Sequence, residues 1–166
     1  MNNTSASGTL LHGKYLSVLV QHESYGIPAI KVREIIRFQK ITPLPRLPDF
    51  IKGVINLRGR LVPVLDLRLK FGLEVEYAAR TCIVVVLVDR RGSGASLPIG
   101  LIVDSVADVI SLRADQIEPM PHLGANLETG GMLGVAKVDG QIKTLLDVDH
   151  IVAADALEVL ASQVGV

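Results

Sequence analysis

Residues 50–72 read FIKGVINLRGRLVPVLDLRLKFG. Runs of Ile, Val and Leu on either side of an Arg58-Gly59 pair are the pattern of a β-hairpin, FIKGVINL and RLVPVLDL joined by a tight turn. The same piece recurs as GVAKVDGQIKTLLDV at 134–148. There Gly53, Val54, Gly59 and Asp66 return as Gly134, Val135, Gly140 and Asp147, each 81 positions on. A hairpin written twice points to a duplicated unit.

The rest of the chain follows the same plan. PIGLIVDSVADVI (98–110) mirrors YGIPAIKVREII at an offset of 74, matching Gly26 to Gly100, Val32 to Val106, Ile35 to Val109 and Ile36 to Ile110. ITPLP (41–45) returns as IEPMP (117–121) at an offset of 76. Offsets that grow between blocks place the insertions in loops, where they cost least. Two mostly β units of this size predict paired small barrels or strongly curled sheets, a closure that hides strand edges.

Individual segments fill in the scheme. KYLSVLV (14–20) and YGIPAI (25–30) around QHES form a hairpin. In VREIIR, Val32, Ile35 and Ile36 fall at i, i+3 and i+4, which predicts a short helix with Arg33, Glu34 and Arg37 outward. ITPLPRLP cannot be a central strand, because its prolines remove ladder donors. CIVVVLV (82–88) is apolar on both faces and reads as a central strand, at the seam between units. Residues 90–96 (RRGSGAS) read as a flexible loop. Val152, Ala156, Val159 and Leu160 recur at helical spacing and predict a C-terminal helix. The expected divisions are a disordered start over 1–12, one domain of two intertwined barrels over 13–153, and a helix and tail over 154–166.

Composition narrows the function. The chain has 166 residues, 49% apolar, with 17 Lys+Arg against 17 Asp+Glu. No global field gathers nucleic acid or an anionic membrane, and three Phe, three Tyr and no Trp offer no stacking platform for bases. Charge is uneven, however: Lys52, Arg58, Arg60, Arg68 and Lys70 cluster around Asp66 alone between residues 50 and 72. The single Cys82 excludes an intrachain disulfide and reads as a buried, inert thiol. MNNTSASGTL lacks the layout of a signal peptide, and 82–88 is too short to span a bilayer, so a cytoplasmic protein without membrane insertion is expected.

No catalytic constellation emerges. The four histidines sit in separate segments, without HExxH or i,i+4 spacing. GSGAS (92–96) precedes a strand rather than a helix, the wrong order for a phosphate cradle. No cofactor or metal has a motif to hold it. Asp66 and Asp147 stand at equivalent strand ends, where they are expected to accept hydrogen bonds from turn or loop amides. The enzyme alternative is a small hydrolase or ligand-binding barrel working through Asp66, Asp147 and Arg58.

What remains is a binding module, and Arg58 is its most informative residue. Copy two carries Asp139-Gly140, ordinary chemistry for a two-residue turn. Copy one keeps the glycine but replaces the aspartate with an arginine that the turn does not need. It is either a solvated surface arginine near Asp66, or a guanidinium displayed at a rigid tip for another protein's carboxylate or carbonyl. Val32, Ile35 and Ile36 read as core. Gly53–Leu57 and Val106–Ile110 read as partner surfaces, with Val106 open between core and contact.

At these residues the sequence resembles the CheW family of chemotaxis coupling proteins. The similarity runs through YGIPAIKVREII (25–36), ITPLPRLPDFIKGVINLRGRLVPVLDLRLKFG (41–72), IVVVLVD (83–89), IGLIVDSVADVISL (99–112), IEPMP (117–121) and LLDVDHIV (145–152). It implies a mostly β fold of two packed, five-stranded SH3-like barrels. It also implies a non-enzymatic adaptor that ties the regulatory domain of the histidine kinase CheA to the cytoplasmic tips of methyl-accepting chemoreceptors, in arrays under the membrane. By the same resemblance Arg58 is a receptor-coupling residue with Gly59 shaping its turn. Val32, Glu34, Gly53 and Val106 become kinase- or receptor-interface positions. Lys143 and Thr144 depart from the family's apolar pattern before LLD.

Overall fold

The computed structural model describes residues 11–75, 77–89, 96–119 and 131–152. The expected disordered start, most of the 90–96 loop and the predicted C-terminal helix lie outside these residues. Eleven strands run through the described chain: β1 Gly13–Val20, β2 Glu23–Pro28, β3 Val32–Arg37, β4 Ile51–Leu57, β5 Arg60–Asp66, β6 Cys82–Asp89, β7 Ser96–Val103, β8 Ser105–Leu112, β9 Ile117–Pro119, β10 Met132–Val138 and β11 Gln141–Leu146. One-turn helices follow the two long hairpins, α1 Leu67–Lys70 and α2 Val148–Ile151.

The strands form two sheets, in the orders β8-β1-β2-β11-β10-β9 and β3-β6-β7-β5-β4. Copy one supplies β1–β5 and copy two β6–β11, so neither sheet belongs to one copy. β1 and β2 pair with β8 and β11, while β6 and β7 pair with β3 and β5. The registers match position for position. Tyr15 faces Ile110 as Ile83 faces Ile36, and Gly26 faces Leu145 as Gly100 faces Val64. The fold is the pair of SH3-like barrels expected, here called barrel A (holding β1) and barrel B (holding β6). Barrel A gains a short sixth strand, β9, whose counterpart in barrel B is a single bridge between Thr42 and Val54.

Three apolar clusters follow from this exchange. Ile55, Val62, Val64, Ile83, Val85 and Ile102 fill barrel B. Tyr15, Leu112, Ile117, Ala136 and Leu145 fill barrel A. Between the barrels a third cluster gathers Leu16, Val18, Val20 and Ile27 against Val84, Val86, Val88 and Leu101. The β6 strand therefore puts Ile83 and Val85 inside its barrel and the even-numbered valines into the seam, as its two-faced apolar run implies.

One element differs in kind from expectation. VREIIR is strand β3, not a helix. The register shifts between Val32 and Glu34, so Val32 faces Val86 and Ile35 faces Val84. A one-residue bulge thus brings positions i and i+3 onto the same sheet face, a spacing that imitates a helix. β8 repeats the device, with Val106 opposite Val18 and Val109 opposite Leu16.

Candidate functional site: the Arg58 hairpin tip

The turn between β4 and β5 has both central residues in the left-handed region, Arg58 at φ 52° and Gly59 at φ 85°. Asp139 and Gly140 repeat it at 50° and 77°. Two consecutive positive φ values define the hairpin turn whose twist suits its flanking strands. Asn56 Oδ1 accepts the Gly59 amide at 2.8 Å and stiffens the tip. An arginine in this conformation carries a steric cost that glycine escapes.

Arg58 does not lie against Asp66, the neighbour one sequence reading gave it. Its guanidinium forks onto Glu34 of β3, with Nη1 donating to Oε1 at 3.1 Å and Nη2 to Oε2. The Arg58 side chain remains 66% exposed while Glu34 is 23% exposed. The Arg58 hydrogen bonds hold the Glu34 carboxyl below the usual carboxylate range. Glu34 reaches the tip because the β3 bulge turns it onto the Val85 face of the sheet. The equivalent positions in barrel A, Asp108 and Asp139, are both acids and form no such fork.

The other interface positions divide. Val32 and Val106 are half-buried and pack on the inter-barrel cluster, each leaving an edge at the surface. Gly53 is buried at φ 139°, and a Cβ there would lie 2.0 Å from the Thr42 carbonyl oxygen. Its role is to let the 42–43 segment cross β4, where Thr42 and Val54 exchange backbone hydrogen bonds of 2.9 Å. The expected partner surface over Gly53–Leu57 is accordingly corrected: Gly53, Val54 and Ile55 are buried, Leu57 is partly buried and only Asn56 is exposed. Along β8, Ala107, Asp108 and Val109 are exposed, while Val106 and Ile110 are partly buried.

The carboxylates of the enzyme alternative are occupied elsewhere. Asp66 is buried, caps α1 by accepting the Arg68 amide, and receives Arg68 Nε and Nη2 at 3.0 Å each. Asp147 caps α2 by accepting the His150 amide. Neither lines the cavity beside Arg58. Three polar clusters escaped the sequence reading. Arg68 also reaches Asp104 at 2.7 Å, Lys31 pairs with Asp89 and Asp149 at 3.1 and 2.9 Å, and Lys143 bonds Ser17 and Ser24. Only the oddity of Lys143 before LLD hinted at the last.

A double barrel with an exposed, charged tip, and with Asp66 and Asp147 committed to helix caps, presents a surface suited to binding. Residues 14–156 match the CheW-like domain family, and the chain belongs to it. A chemotaxis protein CheW of Klebsiella aerogenes is 34% identical over 152 residues, covering 91% of this chain and 88% of that protein. FrzA of Myxococcus xanthus is 35% identical over 116 residues, 69% and 68% of the two chains. Among solved structures, the scaffolding protein TtCheW from Thermoanaerobacter tengcongensis aligns with a TM-score of 0.75 at 30% identity, covering 88% of this chain and 96% of that one. The chain is thus a scaffold or adaptor of chemotaxis signalling and not an enzyme.

Proposed function

We propose that this protein couples methyl-accepting chemoreceptors to the histidine kinase CheA by binding both, performing no bond chemistry itself. The observation that carries this reading is Arg58: an exposed guanidinium pinned by Glu34 at a turn whose backbone disfavours arginine. Backbone strain held at an exposed, charged tip motivates a functional reading, and a pre-oriented fork loses little entropy on meeting a carboxylate or carbonyl. In this reading Arg58 engages the receptor tip and Gly59 fixes the turn. Glu34 holds the fork, and the exposed edges of Val32 and Val106 join the kinase or receptor interface. Gly53 acts through the backbone, by letting the 42–43 segment cross β4. The protein works in the cytoplasm, against receptor arrays at the inner face of the membrane.

Coupling of this kind is a free energy linking two binding events, so it requires contacts that differ between signalling states. Reconstitution of kinase, receptor tips and coupling protein tests it. Arg58→Glu is expected to keep the circular dichroism spectrum and melting profile while losing most receptor-dependent kinase activation. Full activation by the variant would refute the assignment.

A further inference from the structure

The matched registers allow the two barrels to be compared residue by residue at the end beside Arg58. In barrel B a cavity of about 210 Å³ opens there, floored by Leu57, Val62, Val85 and Pro98 and rimmed by Arg33, Arg58 and Arg60. The same floor in barrel A consists of Val138, Lys143, Ser17 and Ser24, positions fixed by the matching registers of β1–β2 with β6–β7 and of β10–β11 with β4–β5. There Lys143 Nζ donates to Ser17 Oγ at 3.1 Å and Ser24 Oγ at 2.8 Å, so its side chain closes the mouth with a polar plug. The rim of arginines becomes Ala107, Asp139 and Gln141. One duplicated opening has been sealed and neutralised, the other kept apolar and cationic.

We propose that the barrel B mouth is a pocket for a protein segment carrying an apolar side chain beside a carboxylate. The apolar group enters against Leu57 and Pro98, whose exposed surface it removes from water, above the buried Val62 and Val85. The carboxylate meets the guanidinium rim, where Glu34 is the nearby acid and Arg58 already engages it, leaving positive charge in excess. This deepens the coupling role and rests on reading Arg58 as a contact residue: it names the chemistry of what Arg58 meets. Barrel A, with an ammonium in the hole and an aspartate in place of the arginines at the rim, rejects the same segment.

Two measurements on the full chain test it. Isocaproate carries a leucine-like group and a carboxylate; titrated into methyl-labelled protein, it should shift the Leu57, Val62 and Val85 methyl resonances, with its amide at least about fivefold weaker. Unmoved methyls, or equal response to the amide, overturn the pocket. Separately, Val62→Lys, Val85→Ser and Pro98→Ser together rebuild the plug that barrel A already tolerates, leaving Arg58 in place. This variant should lose the isocaproate response and bind a purified receptor tip at least about tenfold more weakly. If Arg58→Glu weakens receptor binding and the plugged variant does not, the pocket falls while the coupling role stands. If neither changes binding, both fall. Should the plugged variant not fold, the isocaproate titration on the unaltered protein decides alone.

Discussion

Arg58 sits at φ 52°, where the β-carbon of an L residue crowds the backbone, and Asn or Asp is tolerated far better. Arg58→Asn should therefore leave stability in urea unfolding unchanged or slightly raised, the relief of strain offsetting the lost Glu34 pair, while weakening receptor binding. A large loss of stability would show instead that the arginine serves the fold. Its partner offers a second check. Because Arg58 depresses the Glu34 carboxyl, the pair stabilises the folded state above the ordinary glutamate range, and that contribution fades as pH falls through the depressed folded value. The carboxyl carbon of Glu34 should titrate below a free glutamate, and Arg58→Ala should return it toward the ordinary range. An unaltered midpoint in the variant would mean that the fork is not formed in solution. The exposed fork was legible because the duplication supplied an internal control, Asp139, at the same turn. Its partner Glu34 was not, since the acid lies 24 residues away and reaches the tip only through the β3 bulge.

At the scale of elements, the two long hairpins declared themselves through glycine placement and β-branched runs, which depend on nearest neighbours in the chain. β3 did not. Its bulge moves one residue out of alternation, and a bulge is created by the partner strand rather than by local sequence. The ion clusters were hidden for a related reason: each joins residues that only the exchanged sheets bring together. Arg68 of α1 meets Asp104 at the β7–β8 junction, while Asp149 of α2 meets Lys31 just before β3. Copy one thus gives a cation to each clamp and copy two an anion, so pairing either copy with its own kind would set like charges together. The two clamps differ in burial and should differ in energy. Arg68 and Asp66 are buried, so Arg68→Ala leaves an uncompensated carboxylate and should cost about 3–5 kcal/mol in chemical denaturation. Lys31→Ala, at a surface pair, should cost about 0–1 kcal/mol. Similar losses for the two variants would contradict the burial argument.

For the whole molecule, duplication explains more than the fold. Both copies must pair across the seam, and their registers agree, yet their surfaces have diverged in charge and in how the barrel mouths are finished. A scaffold gains from that divergence, because two equivalent faces with different chemistry can hold different partners. The repeat blocks made two intertwined barrels readable from sequence, whereas which strands are exchanged between copies was not, since the same alternating pattern satisfies either pairing. The divergence also supplies the most direct test of the central claim, that one tip of two equivalent tips serves coupling. Calorimetric titration of a receptor-tip fragment should be run against the unaltered protein, Arg58→Ala and Asp139→Ala. The account predicts at least about tenfold weaker binding for Arg58→Ala and a change within about twofold for Asp139→Ala. Unchanged affinity for Arg58→Ala, or equal losses at both tips, would contradict it.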